Sequence, residues 1–260
     1  MIVNKDIEII FTFGDRHYPS NDKRIDSIIL QIIKDIKPSI IIDGGDGLDG
    51  DMLSNFDKTT DQLSGFQKQL DSDYEWRESI NKVSPKSTKI LLECNHFSAR
   101  LSKLTKKNNY WASDLRVLEQ KNLQKLDELD WELMEHYIYK NSIMYVHGDG
   151  DLGVGSNKAP INQVRAMMKE STMSVVRYHS HTSGIEIHRK GKGTCFACQV
   201  GTTYDLRKSP NYIKHGQYVT NWTNSLLVVV YDKNTRVSFP SLIPIINGEA
   251  YFNNKLYKSK

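Results

Sequence analysis

Cysteine is scarce in this chain of 260 residues: Cys94, Cys195 and Cys198 form an odd set of three, which argues against a disulfide framework. Structural zinc wants four ligands, and no second cysteine pair exists to complete a cluster around the CFAC stretch. Within a strand Cys195 and Cys198 would face opposite sides, so all three are read as buried small hydrophobes. Long apolar runs are missing too. SIIID (39–43) and SLLVVV (225–230) fall far short of the ~20 residues that a membrane span needs. The opening MIVNKDIEIIF has neither the layout nor the cleavage site of a secretory leader, so a cytoplasmic location is expected, the host cytoplasm if the source is viral.

What is present reads as one soluble globular domain over 1–260, with 38% hydrophobic and 25% charged residues. The net charge of +4 is compatible with an anionic substrate but is weak support for nucleic acid. The basic runs LTKKNN (104–109) and IHRKGKG (187–193) could touch phosphates, although such runs are more often solvated faces.

The order of segments says more. EIIFTF (8–13) reads as a buried strand, and RIDSIILQIIKDIKP places Ile25, Ile28, Ile29, Ile32, Ile33 and Ile36 on one helical face before Pro38 stops the helix. A second apolar strand, SIIID, completes a βαβ unit with parallel strands and a right-handed crossover. In open sheets of this kind ligands bind beyond the carboxyl ends of the strands. Polar residues collect there. Asp15 and His17 follow the first strand, and Asp46 and Asp49 follow the second within DGGDGLDG. Asn95 and His96 follow TKILLEC (88–94), His147 follows SIMYV (142–146), and His179 and His181 follow MSVVRY (173–178). If YHSHTSG is a strand entering a turn, alternation would aim His179 and His181 at one spot. Glycines 14, 44, 45, 47, 148 and 184 flank these residues, as expected where the backbone turns tightly or approaches an ion.

Read in order, D-R-H, G-D-G-L-D, C-N-H, H-G and H-S-H resemble the five-block pattern of the calcineurin-like metallophosphoesterase superfamily, from Asp15 to His181. The wording CNHFSARL is most similar to small phage and bacterial phosphoesterases, including those described as DNA-repair exonucleases. Four residues depart from the pattern: Cys94, Phe97, Tyr178 and Ser180. Phe97 and Tyr178 could reshape the pocket mouth, so substrate class is the inference they touch.

The resemblance implies a four-layer α/β/β/α sandwich of two mixed β-sheets flanked by helices. It implies that Asp15, His17 and His181 hold one divalent ion, that Asn95, His147 and His179 hold another, and that Asp46 bridges them. Carboxylate, amide and imidazole ligands suit manganese first, with iron, zinc or nickel as alternatives, better than calcium or magnesium. Two such ions can share a hydroxide for in-line attack on phosphorus. The expected activity is metal-dependent hydrolysis of phosphodiester bonds in a nucleic acid or nucleotide. A phosphomonoesterase acting on a small metabolite is one alternative, and a non-catalytic metal-bearing binding module is another.

His96 is expected to protonate the leaving oxygen, with Asp49 either orienting it or stabilising a turn. Arg100, one helical turn on, reads equally as a phosphate contact or a surface residue. GDGDLGVG (148–155) lacks a following Gly-Lys-Ser/Thr, so it is a loop beside the site and not a P-loop. His136, His188 and His215 are read as ordinary histidines, and Tyr18, Trp111 and Trp222 as aromatics that could stack bases.

Segment 50–86 is expected to form a helical insertion bearing on specificity. Leu115, Leu118, Leu123, Leu126, Leu129 and Leu133 suggest an amphipathic helix or helical pair within 105–140. The strands after His181 are expected to build the second sheet.

Overall fold

The computed structural model describes residues 5–53, 65–108, 114–148, 162, 165–166, 171–190, 193–208 and 221–259. Strand β1 (Ile7–Phe13) becomes fully buried toward its carboxyl end. Helix α1 (Lys23–Ile36) begins where the Asp22 side chain accepts from the Arg24 amide, and it ends at Lys37, whose φ of 48° precedes Pro38. Its buried face is the isoleucine stripe Ile25, Ile28, Ile29, Ile32 and Ile33. The chain returns in β2 (Ile40–Asp43), parallel to β1, with Phe13 opposite Asp43.

Helix α2 (Phe66–Val83) then leads to β3 (Thr88–Leu92), parallel to β2. Trp76 and Ile80 of α2 join the core beside Phe13, Ile41 and Leu91. The helix expected as an insertion in 50–86 is thus the crossover between two neighbouring strands.

The leucine pattern of 105–140 does not form the expected amphipathic helix. Helix α3 (Arg100–Asn108) precedes it, and beyond a 3-10 turn at Arg116–Leu118 and a helical turn at Gln120–Leu123 the chain passes into β4 (Glu132–Met134) and β5 (His136–Tyr139). Lys125 and Asp130 adopt left-handed φ values of 50° and 56°, which interrupt any continuous helix. Leu126 and Leu129 are buried by the turns between, while Leu115 stays exposed.

The remaining strands are β6 (Ile143–Val146), β7 (Ser174–Arg177), β8 (Gly184–Lys190), β9 (Gly193–Gln199), β10 (Asn224–Asp232), β11 (Val237–Ile246), β12 (Glu249–Phe252) and β13 (Lys255–Lys258). Two mixed sheets result. The larger runs β13-β12-β11-β10-β1-β2-β3-β4 and the smaller β5-β6-β7-β9-β8. The expectation that all strands after His181 build the second sheet is therefore corrected: β8 and β9 do, whereas β10 pairs antiparallel with β1 and carries β11–β13 onto the first sheet.

One core lies between the larger sheet and helices α1 and α2, and a second lies between the sheets, where Ile10, Ile42, Ile90 and Leu92 meet Tyr145, Val176, Phe196 and Cys198. Ala166, in a helical stretch, packs on the outer face of the smaller sheet against Val175 and Ala197. Cys195 faces that outer side and is only half-buried, while Cys94 and Cys198 are buried. Among the described residues no helix is long and apolar enough to cross a membrane.

Ile29 is fully buried in the first core. Ile29→Ala is expected to cost about 2–5 kcal/mol, read as a lower urea midpoint at unchanged slope.

Candidate metal centre

The loops after β1 and β2 are bound to each other by backbone hydrogen bonds. Asp15 N–H donates to Gly45 O at 2.9 Å, His17 N–H to Asp46 O at 2.9 Å and Tyr18 N–H to Gly47 O at 3.0 Å. The parallel pairing of the strands thus continues into the loops. Asp15, His17, Asp46, His179 and His181 have φ between 49° and 70°, a left-handed conformation that non-glycine residues seldom adopt. Such outliers persist only where surrounding contacts over-determine them.

These turns aim side chains at two clusters. In the first, His17 Nε2 and His181 Nε2 lie 3.0 Å apart, and Asp15 Oδ1 is 3.3 Å from His181 Nε2. In the second, His147 Nε2 lies 2.9 Å from Asn95 Oδ1 and 3.2 Å from Asp46 Oδ2, with the His179 ring 5.2 Å from the His147 ring. His147 Nδ1–H donates to Gly44 O at 2.7 Å, which leaves Nε2 as the nitrogen with a lone pair to give.

His179 and His181 do not aim at one spot. β7 ends at Arg177, both histidines lie in the turn beyond it, and each goes to a different cluster.

Asp15 and Asp46 are treated alike by the fold. Asp15 Oδ2 accepts from His179 N–H at 3.0 Å, and Asp46 Oδ1 accepts from His96 N–H at 3.1 Å. The other oxygens, Asp15 Oδ1 and Asp46 Oδ2, are buried and face imidazole nitrogens, His181 Nε2 at 3.3 Å and His147 Nε2 at 3.2 Å. A buried carboxylate oxygen facing imidazole nitrogens is costly unless a ring proton or a cation meets it, and a divalent cation is the partner that such a donor set fits.

Burial pushes the Asp15 carboxyl up, but His181 and His147 outweigh it and hold it below the usual carboxylate range. Burial likewise opposes ionisation of Asp46, yet His96 and His147 hold it well below that range. Burial disfavours a charged His147, but Asp46 reverses this and raises it to about 9. His179 is lowered to about 4 by burial and by the charge of His147.

Asp49 serves two histidines. Its Oδ1 lies 3.1 Å from His17 Nδ1 and 3.5 Å from His96 Nδ1, while His96 Nδ1 is closer to Asp49 O, at 3.0 Å. Arg100 Nη1 donates to the same Asp49 carbonyl at 2.6 Å.

Two open cavities share Glu93, Ser98 and Ser102, and the smaller reaches the second cluster at His147. One of about 250 Å³ is lined by Glu93, Cys94, Ser98, Glu135 and His147, and one of about 380 Å³ continues past Ser98 and Ser102 toward Lys106 and Lys121. Burial and the charge of the neighbouring Glu135 raise the Glu93 carboxyl above its usual range. On the first cluster's side, Trp222 stands edge-on to His181 with centroids 4.0 Å apart, and Tyr204 lies 6.1 Å from His17.

No family model matches the chain, and no curated protein matches it by sequence. Among solved structures, Vacuolar Protein Sorting 29 (Vps29) from Cryptosporidium parvum superposes with a TM-score of 0.50 at 11% identity, over 97% of this chain and 97% of that one. The chain has the metallophosphoesterase fold. Wild-type Vps29 from Entamoeba histolytica, complexed with zinc, superposes with a TM-score of 0.46 at 12% identity, over 96% of this chain and 98% of that one.

Within the metallophosphoesterase fold, the departures Phe97 and Tyr178 lie away from the pocket mouth. Phe97 is buried and stacks on Phe66 with centroids 5.8 Å apart. Tyr178 is fully buried between the sheets, its hydroxyl bonded to Thr12, and its ring fills the space a side chain on Gly14 would need: a Cβ there would lie 2.8 Å from Tyr178 Cδ1.

His136 is exposed on β5, and His188 pairs with Glu186 at 2.8 Å. Trp111, His215 and all but the first residue of GDGDLGVG lie outside the described residues. The sequence reading missed Arg16, Asp43 and Arg77, all buried behind the ligand loops. For Arg16 and Asp43 the available signal was a charge one to three positions from a ligand, whereas Arg77 on α2 has no ligand near it in sequence.

Because His147 is raised to about 9, it is protonated at neutral pH without a metal, and a bound ion must displace that proton. Manganese affinity is therefore expected to rise with pH, about tenfold per unit for each proton displaced, with proton release visible by calorimetry in buffers of different ionisation enthalpy.

Proposed function

We propose that this protein is a metal-dependent phosphoesterase acting on phosphodiester bonds of a nucleic acid or nucleotide. The observation that carries the reading is the matched pair of buried carboxylates, each with one oxygen fixed by a backbone N–H and the other turned toward histidine nitrogens. Asp15, His17 and His181 would hold one divalent ion, Asn95, His147 and His179 a second, and Asp46 would serve both. Manganese is the first candidate for this donor set, followed by iron, zinc and nickel. Bound there, such ions supply positive charge to phosphoryl oxygens and lower the pKa of water.

The chain's own groups do the rest. His96 donates through Nδ1 to Asp49 O, so Nε2 is turned toward the centre, 3.9 Å from Asp46 Oδ2; as imidazolium, with a proton on each nitrogen, the ring would give its Nε2 proton to the leaving oxygen. Asp49 holds the rings of His17 and His96, and Arg100 holds the Asp49 carbonyl. Burial opposes ionisation of Asp49, but those two histidines keep it well below the usual carboxylate range, so it stays a charged acceptor.

An anionic substrate is supported by the side chains of Lys23, at the start of α1, and of Arg207 and Lys208, beyond Tyr204, which are 72%, 63% and 47% exposed although they pair with Asp26 and Asp205. Tyr18 and Trp222 stand on the same side for stacking. A second reading, a phosphomonoesterase for a small metabolite, is favoured by the cavity holding Glu93 and Glu135 beside His147, which would repel a continuing phosphate chain.

Hydrolysis of bis(p-nitrophenyl) phosphate, p-nitrophenyl phosphate and single-stranded DNA, with Mn²⁺ and with chelator, decides between them. Diester turnover is expected to require metal, to vanish in Asp46→Asn and to fall by about 10²–10⁴ in His96→Ala. Turnover of monoesters alone selects the second reading, and inertness toward every ester with manganese, iron, zinc or nickel overturns both.

A further inference from the structure

Helix α2 carries a buried stripe that is polar. Gln69, Asp73 and Arg77, spaced four apart and so aligned on one face, are all fully buried. Each reaches toward the loop that bears Asp46 and Asp49. Gln69 Oε1 accepts from Gly50 N–H at 3.0 Å, next to Asp49. Arg77 Nη2 donates to Asp43 Oδ2 at 3.1 Å, and Asp43 Oδ1 accepts from Gly45 N–H at 3.1 Å, next to Asp46. Asp73 holds Arg77 through contacts of 2.9 and 3.1 Å and receives Gln124 Nε2 at 2.8 Å. The adjacent Trp76 lies 4.8 Å under the guanidinium of Arg16, which sits between Asp15 and His17 and is clamped to Asp26 by two bonds of 3.1 Å.

Stability alone is a poor account of this stripe. Replacing buried ion pairs with well-packed apolar residues is often neutral or stabilising, and what such groups contribute in well-attested cases is a unique arrangement. Here the arrangement includes a conformation that a non-glycine backbone resists: Asp46 has a φ of 49°, between Gly45 and Gly50, whose φ values of 94° and 58° glycine tolerates. We infer that Gln69, Asp73 and Arg77 are positioning residues that fix the 43–50 loop, and that the loop's hydrogen bonds to residues 15–18 pass that order to Asp15 and His17. Segment 66–83 therefore acts as the inner brace of the candidate metal centre. The inference rests on the metal-centre reading for its effect on metal affinity, but not for its effect on loop order.

The test compares the whole protein with Arg77→Lys, which keeps the charge and loses the two-nitrogen grip, and Gln69→Met, which keeps length and apolar packing and loses the amide group that Gly50 N–H donates to. Three quantities are read: Mn²⁺ affinity by calorimetry, exchange rates of the Gly45 and Gly50 amides in metal-free protein by NMR, and the melting temperature. Manganese affinity is expected to fall about 10–100-fold in both variants. Gly50 is expected to exchange at least about tenfold faster in Gln69→Met, and Gly45 likewise in Arg77→Lys, while β1 and β3 amides keep their protection. A lower melting temperature with unchanged Gly45 and Gly50 exchange and unchanged Mn²⁺ affinity overturns the inference. If the wild type takes up no divalent ion, the phosphoesterase reading fails, and the exchange rates alone decide the positioning role. If Arg77→Lys does not fold, Gln69→Met decides it through Gly50.

Discussion

Two buried carboxylates impose the constraint around which the rest of this protein is arranged. Asp15 and Asp46 are removed from water, and each is held by one backbone N–H from a different part of the chain, His179 for Asp15 and His96 for Asp46. Isolated negative charge in such a place is expensive unless positive charge meets it. His147, raised to about 9 by Asp46, supplies that charge as a proton, and a divalent ion would supply it in the proton's place. The same attraction that gathers the imidazoles therefore makes the centre a competition between protons and metal.

The geometry has a backbone cost. Five of the seven candidate ligands sit at positive φ: Asp15, His17, Asp46, His179 and His181, leaving Asn95 and His147 outside that set. Conformations of this kind cost on the order of 1–3 kcal/mol each and need support from outside the turn. Support comes from three directions. The two loops bond to each other along their backbones, the buried arginines 16 and 77 anchor them to α1 and α2, and Tyr178 wedges behind them where Gly14 and Gly44 leave room. The site is thus backed by packed layers, with α2 contributing both apolar core and polar clamp.

The architecture explains why the ligands come from so many segments. Parallel strands bring their carboxyl ends to one side, and stacking two sheets face to face sets the ends of β1, β2 and β3 opposite those of β6 and β7. One cluster draws on β1 and β7, and the other on β2, β3, β6 and β7, so neither could form on a single sheet.

By itself the sequence determined the local elements and the order of the chemistry. Isoleucine spacing marked α1, and apolar runs bounded by glycine and aspartate marked β1, β2 and β3, because these are short-range patterns written in consecutive residues, whereas the D-R-H to H-S-H order pointed to a common site through the resemblance it carries. Tertiary structure alone decided the rest. β10 joined the first sheet because β1 offered a free edge with matching register, a pairing more than two hundred residues apart that no local period records. The leucines of 105–140 went to turns and β4 because β3 had a remaining edge to fill, and edge pairing overrode the helical spacing. Asp49 was legible as a candidate, but that His17 lies nearer to it than His96 depended on how the loops are bound together. Arg77 and Gln69 looked like ordinary helix residues until the fold buried them against the loop. A side chain's role there is set by what removes it from water, and that partner is chosen by packing between layers, which neighbouring residues in the chain do not encode.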